Sequence, residues 1–412
     1  MPDAFSLWLQ RKYGTPAALS AAWRRPVASF DQARPLAERL DATSRDDLPP
    51  MLDWHQFTDA RAAPDRQCGP MDDLPLVQAG SHGGGAYAAL YERTRIAARH
   101  LRPDGTFPSA AEVCRQVVPQ GTDDDATDFA LRAALMHGAA PDRLPDSIRA
   151  GAASALMEVL RSEPWQADRK LLILYPRVYA HMKRLAERMG RHGTPAGDMT
   201  FGFERPIQTA GPLLLKKLID LTARAGFPFA LGDTRLPLDI VRRYALVVCP
   251  TFELLSAGAM RTLAAFAIGG GFLALGPRIP VMDETLRADD TLARHFPAGL
   301  SEFGLEVRHA RDGAFLTLPG HLSAATIEFL AFESGLAKGL VAESPGVDSA
   351  VHRAGNRRLL FVANPTGSPV ETTLSGEPFR ALRHVETGAE STPSAAAALT
   401  VPPRSVSAWE VV

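Results

Sequence analysis

Few side chains in this sequence have the type and spacing to carry out chemistry, and each has an ordinary structural account beside it. Ser81 to Tyr87 read SHGGGAY, a run whose backbone amides could stabilise a tetrahedral oxyanion in acyl transfer. No G-x-S-x-G elbow exists to supply the nucleophile, so a flexible loop is the better reading. Ala267 to Gly276 read AIGGGFLALG, but a phosphate cradle needs its glycines after a strand and before a helix. Here the helix comes first, and a helix C-cap followed by a turn is expected. Cys249 in VVCPTF falls at a strand end, where nucleophiles often sit. Pro250 occupies the place of the glycine a sharp elbow would need, which leaves a packed strand cysteine. The acidic run Asp123, Asp124, Asp125 and Asp128 could be drawn as a metal site, yet consecutive side chains point apart and a helix N-terminus accounts for them. Trp54 and His55 could line a sugar site; a core tryptophan and a surface histidine are the plainer expectation. No cofactor and no metal are called for.

The bulk properties remove whole classes of partner. With 45 basic against 46 acidic residues and a net charge of −1, no global field favours nucleic acid or an anionic membrane surface. Cys68, Cys114 and Cys249 lack any paired spacing, so neither a disulfide framework nor a zinc knuckle is expected. No apolar run approaches the roughly 20 residues that cross a bilayer, and no secretory pattern opens the sequence. A cytoplasmic protein without membrane contact is expected.

The elements that must position these groups follow from periodicity. In FSLWLQRKYGTPAALSAAW, Phe5, Trp8 and Leu9 share one helical stripe and Leu19, Ala22 and Trp23 another, with Thr15 as cap and Pro16 at the first position of the second helix. Residues 26–85 read as loop-rich, with Met51 to Phe57 an apolar island. A helix is expected over Tyr87 to His100, and another after Thr122 to Asp125, stopped by Gly138. From about residue 168, KLLILYP, FPFALGD, YALVVCPTF and FLALGP are apolar runs of strand length separated by amphipathic helices. That alternation predicts βαβ units and a doubly wound parallel sheet. Beyond about Leu340, RRLLFVANPTGSPVETTLSG reads as two strands around a turn carrying Asn364, Pro365 and Gly367. VPPRSVSAWEVV reads as another pair, which gives a small antiparallel β module.

These segments, in this order, resemble family 42 glycoside hydrolases, the β-galactosidases. FSLWLQRKYGTPAALSAAW with SFDQARP and LDWHQF is similar to the region just after the fourth strand of their (β/α)8 barrel. LVVCPTFELLSAGAMRTLAAFAIGGGFLALGPRIPVMDE is similar to their α/β trimerisation domain, and RRLLFVANPTGSPVETTL with VPPRSVSAWEV to their C-terminal β domain. The fold class implied is α/β. It comprises a partial (β/α)8 region over residues 1–165, a flavodoxin- or amidotransferase-like domain over 166–340 and an antiparallel β domain over 341–412.

The resemblance also implies a chemistry. Such enzymes cleave terminal β-galactosides with retention, using two carboxyl groups roughly 5 Å apart. In this clan the acid/base glutamate follows an asparagine at the end of the fourth strand, but Asn356 and Asn364 are the only asparagines and neither precedes a glutamate. A barrel takes about 250 residues, and about 165 precede the α/β domain. The chain is therefore expected to begin inside a barrel, with the acid/base upstream. For the nucleophile the resemblance offers Glu112 in FPSAAEV, ahead of the alanine-rich helix ending in His137-Gly138. A β-galactoside substrate and a homotrimer are the implied partners. A non-catalytic assembly or carbohydrate-binding remnant is the alternative.

Overall fold

A computed structural model describes residues 3–33, 45–61, 84–119, 122–141, 154–167, 169–183, 211–296, 305–310, 313–391 and 398–412. Cys68, residues 81–83 of the glycine-rich run, residues 142–153 and residues 184–210 lie outside the described residues.

The apolar runs after residue 168 form the expected parallel sheet. Leu171–Tyr175, Phe229–Asp233, Leu246–Thr251, Phe272–Pro277 and Gly313–Thr317 are parallel, and Val307–Ala310 adds an antiparallel edge. The spatial order puts Phe229–Asp233 beside Leu171–Tyr175, then Leu246–Thr251, Phe272–Pro277 and Gly313–Thr317. Second-first-third-fourth-fifth is the flavodoxin-like order of doubly wound folds. Because side chains alternate across a strand, Leu171, Ile173 and Tyr175 enter one core and Leu172 and Leu174 the other. Helices Gly211–Arg224 and Ala324–Glu333 cover the first face, and Ala257–Ile268 covers the second. The last of these starts on a Ser256 side-chain cap and ends at Gly269, so the glycines before Phe272 are the cap and turn expected.

The C-terminal sheet has six antiparallel strands. Asp348–Ala354, Arg357–Asn364 and Ser405–Val411 form its centre, Leu382–His384 and Glu390–Ser391 follow on one side, and Gln166–Ala167 closes the other edge. Val370–Thr372 pairs with Leu399–Val401 in a separate ribbon. The two strand pairs read from sequence are therefore not hairpins. Each sends one strand to the main sheet and one to the ribbon, because the Asn364 side chain bonds Ser368 and Val401 carbonyls and turns the chain away between them.

Both faces of this sheet are buried, by different partners. Leu360 and Val362 face Leu340, Leu382 and Val401. Leu359, Phe361, Ala363, Val406 and Ala408 face a helical layer built from Gly84–Arg99, Ala110–Val117, Asp124–Met136 and Ser154–Ser162. Ahead of Gln166 the described residues contain no strand. The region read as a partial barrel is a set of helices whose extended segments meet in isolated bridges, His100 with Leu231 and Ser109 with Ala140.

At the N-terminus, Ala4–Tyr13 and Pro16–Trp23 form as expected, the second on a Thr15 side-chain cap. Their stripes bury Phe5, Leu9, Leu19 and Trp23 against Trp54 and Phe57 of a third helix, Leu48–Arg61. That helix replaces the expected loop with an apolar island. Its inward face carries Asp53, His55 and Asp59 among Leu48, Met51 and Leu52, and those polar residues interrupt the apolar stripe. His55 is buried, not at the surface.

Gly138 ends Asp124–Met136 at φ +76°, and a Cβ there would collide with the Arg169 guanidinium. That guanidinium is already fixed, donating to the His137 carbonyl and lying 4.0 Å over the Phe107 ring. Gly138→Ala is expected to cost about 2 kcal/mol, combining a left-handed alanine with a displaced arginine. A urea midpoint equal to the parent's would show that the junction is looser than described.

Candidate functional site

The Ser109–Ala140 bridge places two extended segments side by side in parallel, with Ala110 N donating to Ala140 O at 2.9 Å and Ala140 N to Pro108 O at 3.0 Å. Helix Ala110–Val117 leaves the first segment, and Glu112 lies in its first turn, three residues beyond the extended Ser109. Ser109 and Glu112 form a reciprocal capping box: Glu112 N donates to Ser109 Oγ at 3.2 Å, and Ser109 N donates to Glu112 Oε2 at 2.8 Å. Arg102 Nη2 lies 2.7 Å from the same oxygen. The Ser109 amide, followed by Arg102, holds the Glu112 carboxyl below its usual range against the opposing effect of partial burial. Glu112 is thus an anion that accepts and does not donate.

The S-x-x-E pattern of Ser109 and Glu112 was the available signal for this helix start.

The other candidates occupy structural positions. Cys249 is wholly buried in its strand, and burial drives its thiol far above the ordinary value, away from the nucleophilic thiolate. Burial pushes Cys114 up to about 12. The Asp123 carboxylate caps its helix through Ala126 N at 2.7 Å, and Asp128 pairs with Arg132 at 2.7 Å. Among the described residues no group of three or more His, Cys, Asp or Glu could hold a metal ion. Trp54 meets Phe5 edge-on at 4.9 Å in the N-terminal cluster. Gly84 and Gly85 of the glycine-rich run begin the helix Gly84–Arg99.

Two buried polar networks were not anticipated. In one, Arg177 joins Asp59 and lies 3.5 Å from Asp233, with His181 3.4 Å from Asp59, so the N-terminal helices are tied to the C-terminal ends of two parallel strands. The other runs along one face of Gly84–Arg99, where Tyr91, Arg95 and Arg99 recur every four residues. Arg95 reaches Glu92 and Asp220, each at 2.7 Å. Tyr91 Oη donates to Asp348 Oδ2 at 2.7 Å, and His137 Nε2 lies 3.0 Å from the same hydroxyl. That Y-x-x-x-R-x-x-x-R spacing was the signal, polar residues at helical period on a face that must be buried.

The whole chain overlays on solved family 42 glycoside hydrolases. A catalytic mutant of a β-galactosidase from G. stearothermophilus is 13% identical with a TM-score of 0.62, covering 99% of this chain and 75% of that one. The β-galactosidase from Bacillus circulans sp. alkalophilus is 12% identical with a TM-score of 0.59, covering 99% and 76%. The exo-carrageenase from Bacteroides ovatus is 12% identical with a TM-score of 0.50, covering 99% and 62%. The resemblance read from sequence is thus borne out at the level of the fold. No family model matches the sequence, and no curated protein matches it.

Proposed function

We propose that this chain is a carbohydrate-processing protein of the β-galactosidase type, acting on terminal β-galactosides. The observation that carries this reading is the overlay of 99% of the chain on enzymes of that type. Glu112 is the proposed nucleophile. Its support is the bridge of Ser109 with Ala140, which sets the residue just past one of two adjacent parallel segments, and a carboxylate kept ionised. Retention requires a second carboxyl roughly 5 Å away as acid/base. The sequence holds no Asn-Glu pair. The α/β domain over 166–340 serves assembly into a homotrimer.

The test is turnover of an aryl β-galactoside by the parent and by Glu112→Gln. Glutamine keeps the capping-box acceptor and loses only the Arg102 ion pair, an exposed contact worth about 0–1 kcal/mol. The variant is therefore expected to fold with a near-parental melting temperature while turnover disappears. Equal turnover in both chains would remove Glu112 from the site.

One observation favours a second reading, a non-catalytic carbohydrate-binding or assembly protein: the Glu112 carboxylate is already engaged by Ser109 and Arg102. A stable trimer by solution mass that binds galactosides without cleaving them would support it. Among the described residues no helix is long and apolar enough to cross a membrane, and a cytoplasmic setting is part of the proposal.

A further inference from the structure

A cavity of about 30 Å³ lies where the helical layer, the parallel sheet and the C-terminal sheet meet, and its wall includes Arg99, His137, Arg169, Phe229 and Asp348. We propose that this cavity binds a small monovalent anion of halide size between Arg99 and Arg169.

The argument begins with hydrogen-bond capacity. Tyr91 has one hydroxyl proton, and it goes to Asp348, so the hydroxyl can only accept from His137 Nε2. His137 Nδ1 then carries no proton and accepts from Arg99 Nη2 at 3.0 Å. The histidine is neutral, so Arg99 receives a hydrogen-bond acceptor there but no counter-charge. Arg99 is 6% exposed, stacks 4.1 Å over the Phe229 ring, and its Nη1 is buried with no protein partner among the described residues.

Arg169 is held by the His137 carbonyl and the Phe107 ring, neither of which carries a charge. Among the described residues neither Arg99 nor Arg169 makes an ion pair. Asp348 is the acid on the wall, and it is already engaged: Tyr91 donates to one oxygen, Ser349 N donates to the other at 2.8 Å, and Arg95 faces it at 3.9 Å.

Arg99 and the half-buried Arg169 share a wall whose carboxylate, Asp348, is already engaged, and guanidinium groups so placed are costly to bury unless a further compensating charge accompanies them. Burial lowers the pKa of Arg99 in spite of Asp348, and burial together with the Arg99 charge lowers that of Arg169. An anion between them would reverse both effects. Volume selects the ligand. One water needs about 10–15 Å³ by this measure, so the space takes one halide or about two waters and excludes phosphate or a sugar. The inference is independent of the glycosidase reading.

Thermal unfolding of the full chain in sodium chloride against sodium gluconate at equal ionic strength tests it. Gluconate is too large for the cavity and belongs with the excluded, generally stabilising solutes, so a chloride preference would run against the general ranking. A Tm about 2–5 °C higher in saturating chloride is expected. The difference should vanish in Arg99→Met and in Arg169→Gln, and the second decides if the first does not fold. Crystals grown with sodium bromide should show an anomalous peak within hydrogen-bond reach of Arg99 Nη1. Equal Tm values in the two salts, a difference that survives in Arg169→Gln, or water in place of bromide would each overturn the proposal.

Discussion

Lowering the pH from 7 to 5 is expected to cost the folded chain about 4 kcal/mol or more, before most carboxylates begin to titrate. The cause is a set of histidines kept neutral, His137 and His352 buried and His100 half-buried with its Nε2 enclosed. Burial takes His352 down to about 4, against the support of its bond to the Met136 carbonyl. Burial also takes His100 to about 4, offset in part by Asp233. For both, the unfolded chain accepts a proton near 6.5 and the folded chain refuses it until about 4. The stability is therefore complete above 6.5 and is lost as the pH falls through that window, about 2 kcal/mol for each group by pH 5. His137 shifts in the same direction, through burial and then the charges of Arg99, Arg95 and Arg169.

Urea midpoints at pH 7, 6 and 5 measure the slope. His352→Gln keeps a donor for the Met136 carbonyl and should remove about 1.4 kcal/mol per pH unit from that slope below 6. A stability flat between pH 7 and 5, or a slope unchanged in the variant, would mean that these rings are hydrated.

Asp53→Ala is expected to melt the N-terminal helices, at a cost of about 3–5 kcal/mol. Asp53 is 2% exposed and accepts three donors at 2.7 Å: Lys12 Nζ, Tyr13 Oη and Trp23 Nε1. Burial and then Asp53 raise the Tyr13 phenol far above its ordinary value, so it remains a donor throughout the useful pH range. Removing the carboxylate leaves the buried indole N–H of Trp23 and the phenol without an acceptor, and Lys12 without its counter-charge. Tryptophan fluorescence against urea reads the loss directly, because Trp8, Trp23 and Trp54 share this cluster. Asp53→Leu combined with Tyr13→Phe should recover part of it, by removing donor and acceptor together. A loss below about 1 kcal/mol in Asp53→Ala would mean that water reaches this hub.

How much of this was legible in the sequence depended on whether an element hides its polar groups. Leu171–Tyr175 and Leu246–Thr251 are buried on both faces, so their unbroken apolar runs announced a parallel sheet and even its helices. Thr15 and Asp123 announced their helices because caps are local chemistry. Leu48–Arg61 was missed for the opposite reason: Asp53 and Asp59 point inward to partners 30 or more positions away, and no local rule shows that a charge will find such a partner. Ser109 and Glu112 did carry a local signal, the capping box, which fixes the helix start at Ala110. The buried chain of Tyr91, His137 and Arg99 was beyond the sequence altogether, since it depends on Asp348 arriving from 257 residues later.

The closing contact of the C-terminal sheet has a practical meaning for anyone dividing this molecule. Gln166 and Ala167 pair with Arg353 and His352, and Leu359, Phe361 and Val406 share their core with Leu135 and Leu156. Cutting the chain ahead of residue 341 would strip one border strand and an entire greasy side from what remains. The excised piece would offer a raw margin and a bare face to its neighbours, the combination from which sheets stack into insoluble aggregates. The β segment is a recognisable unit of the sequence, but its solubility belongs to residues more than 150 positions upstream.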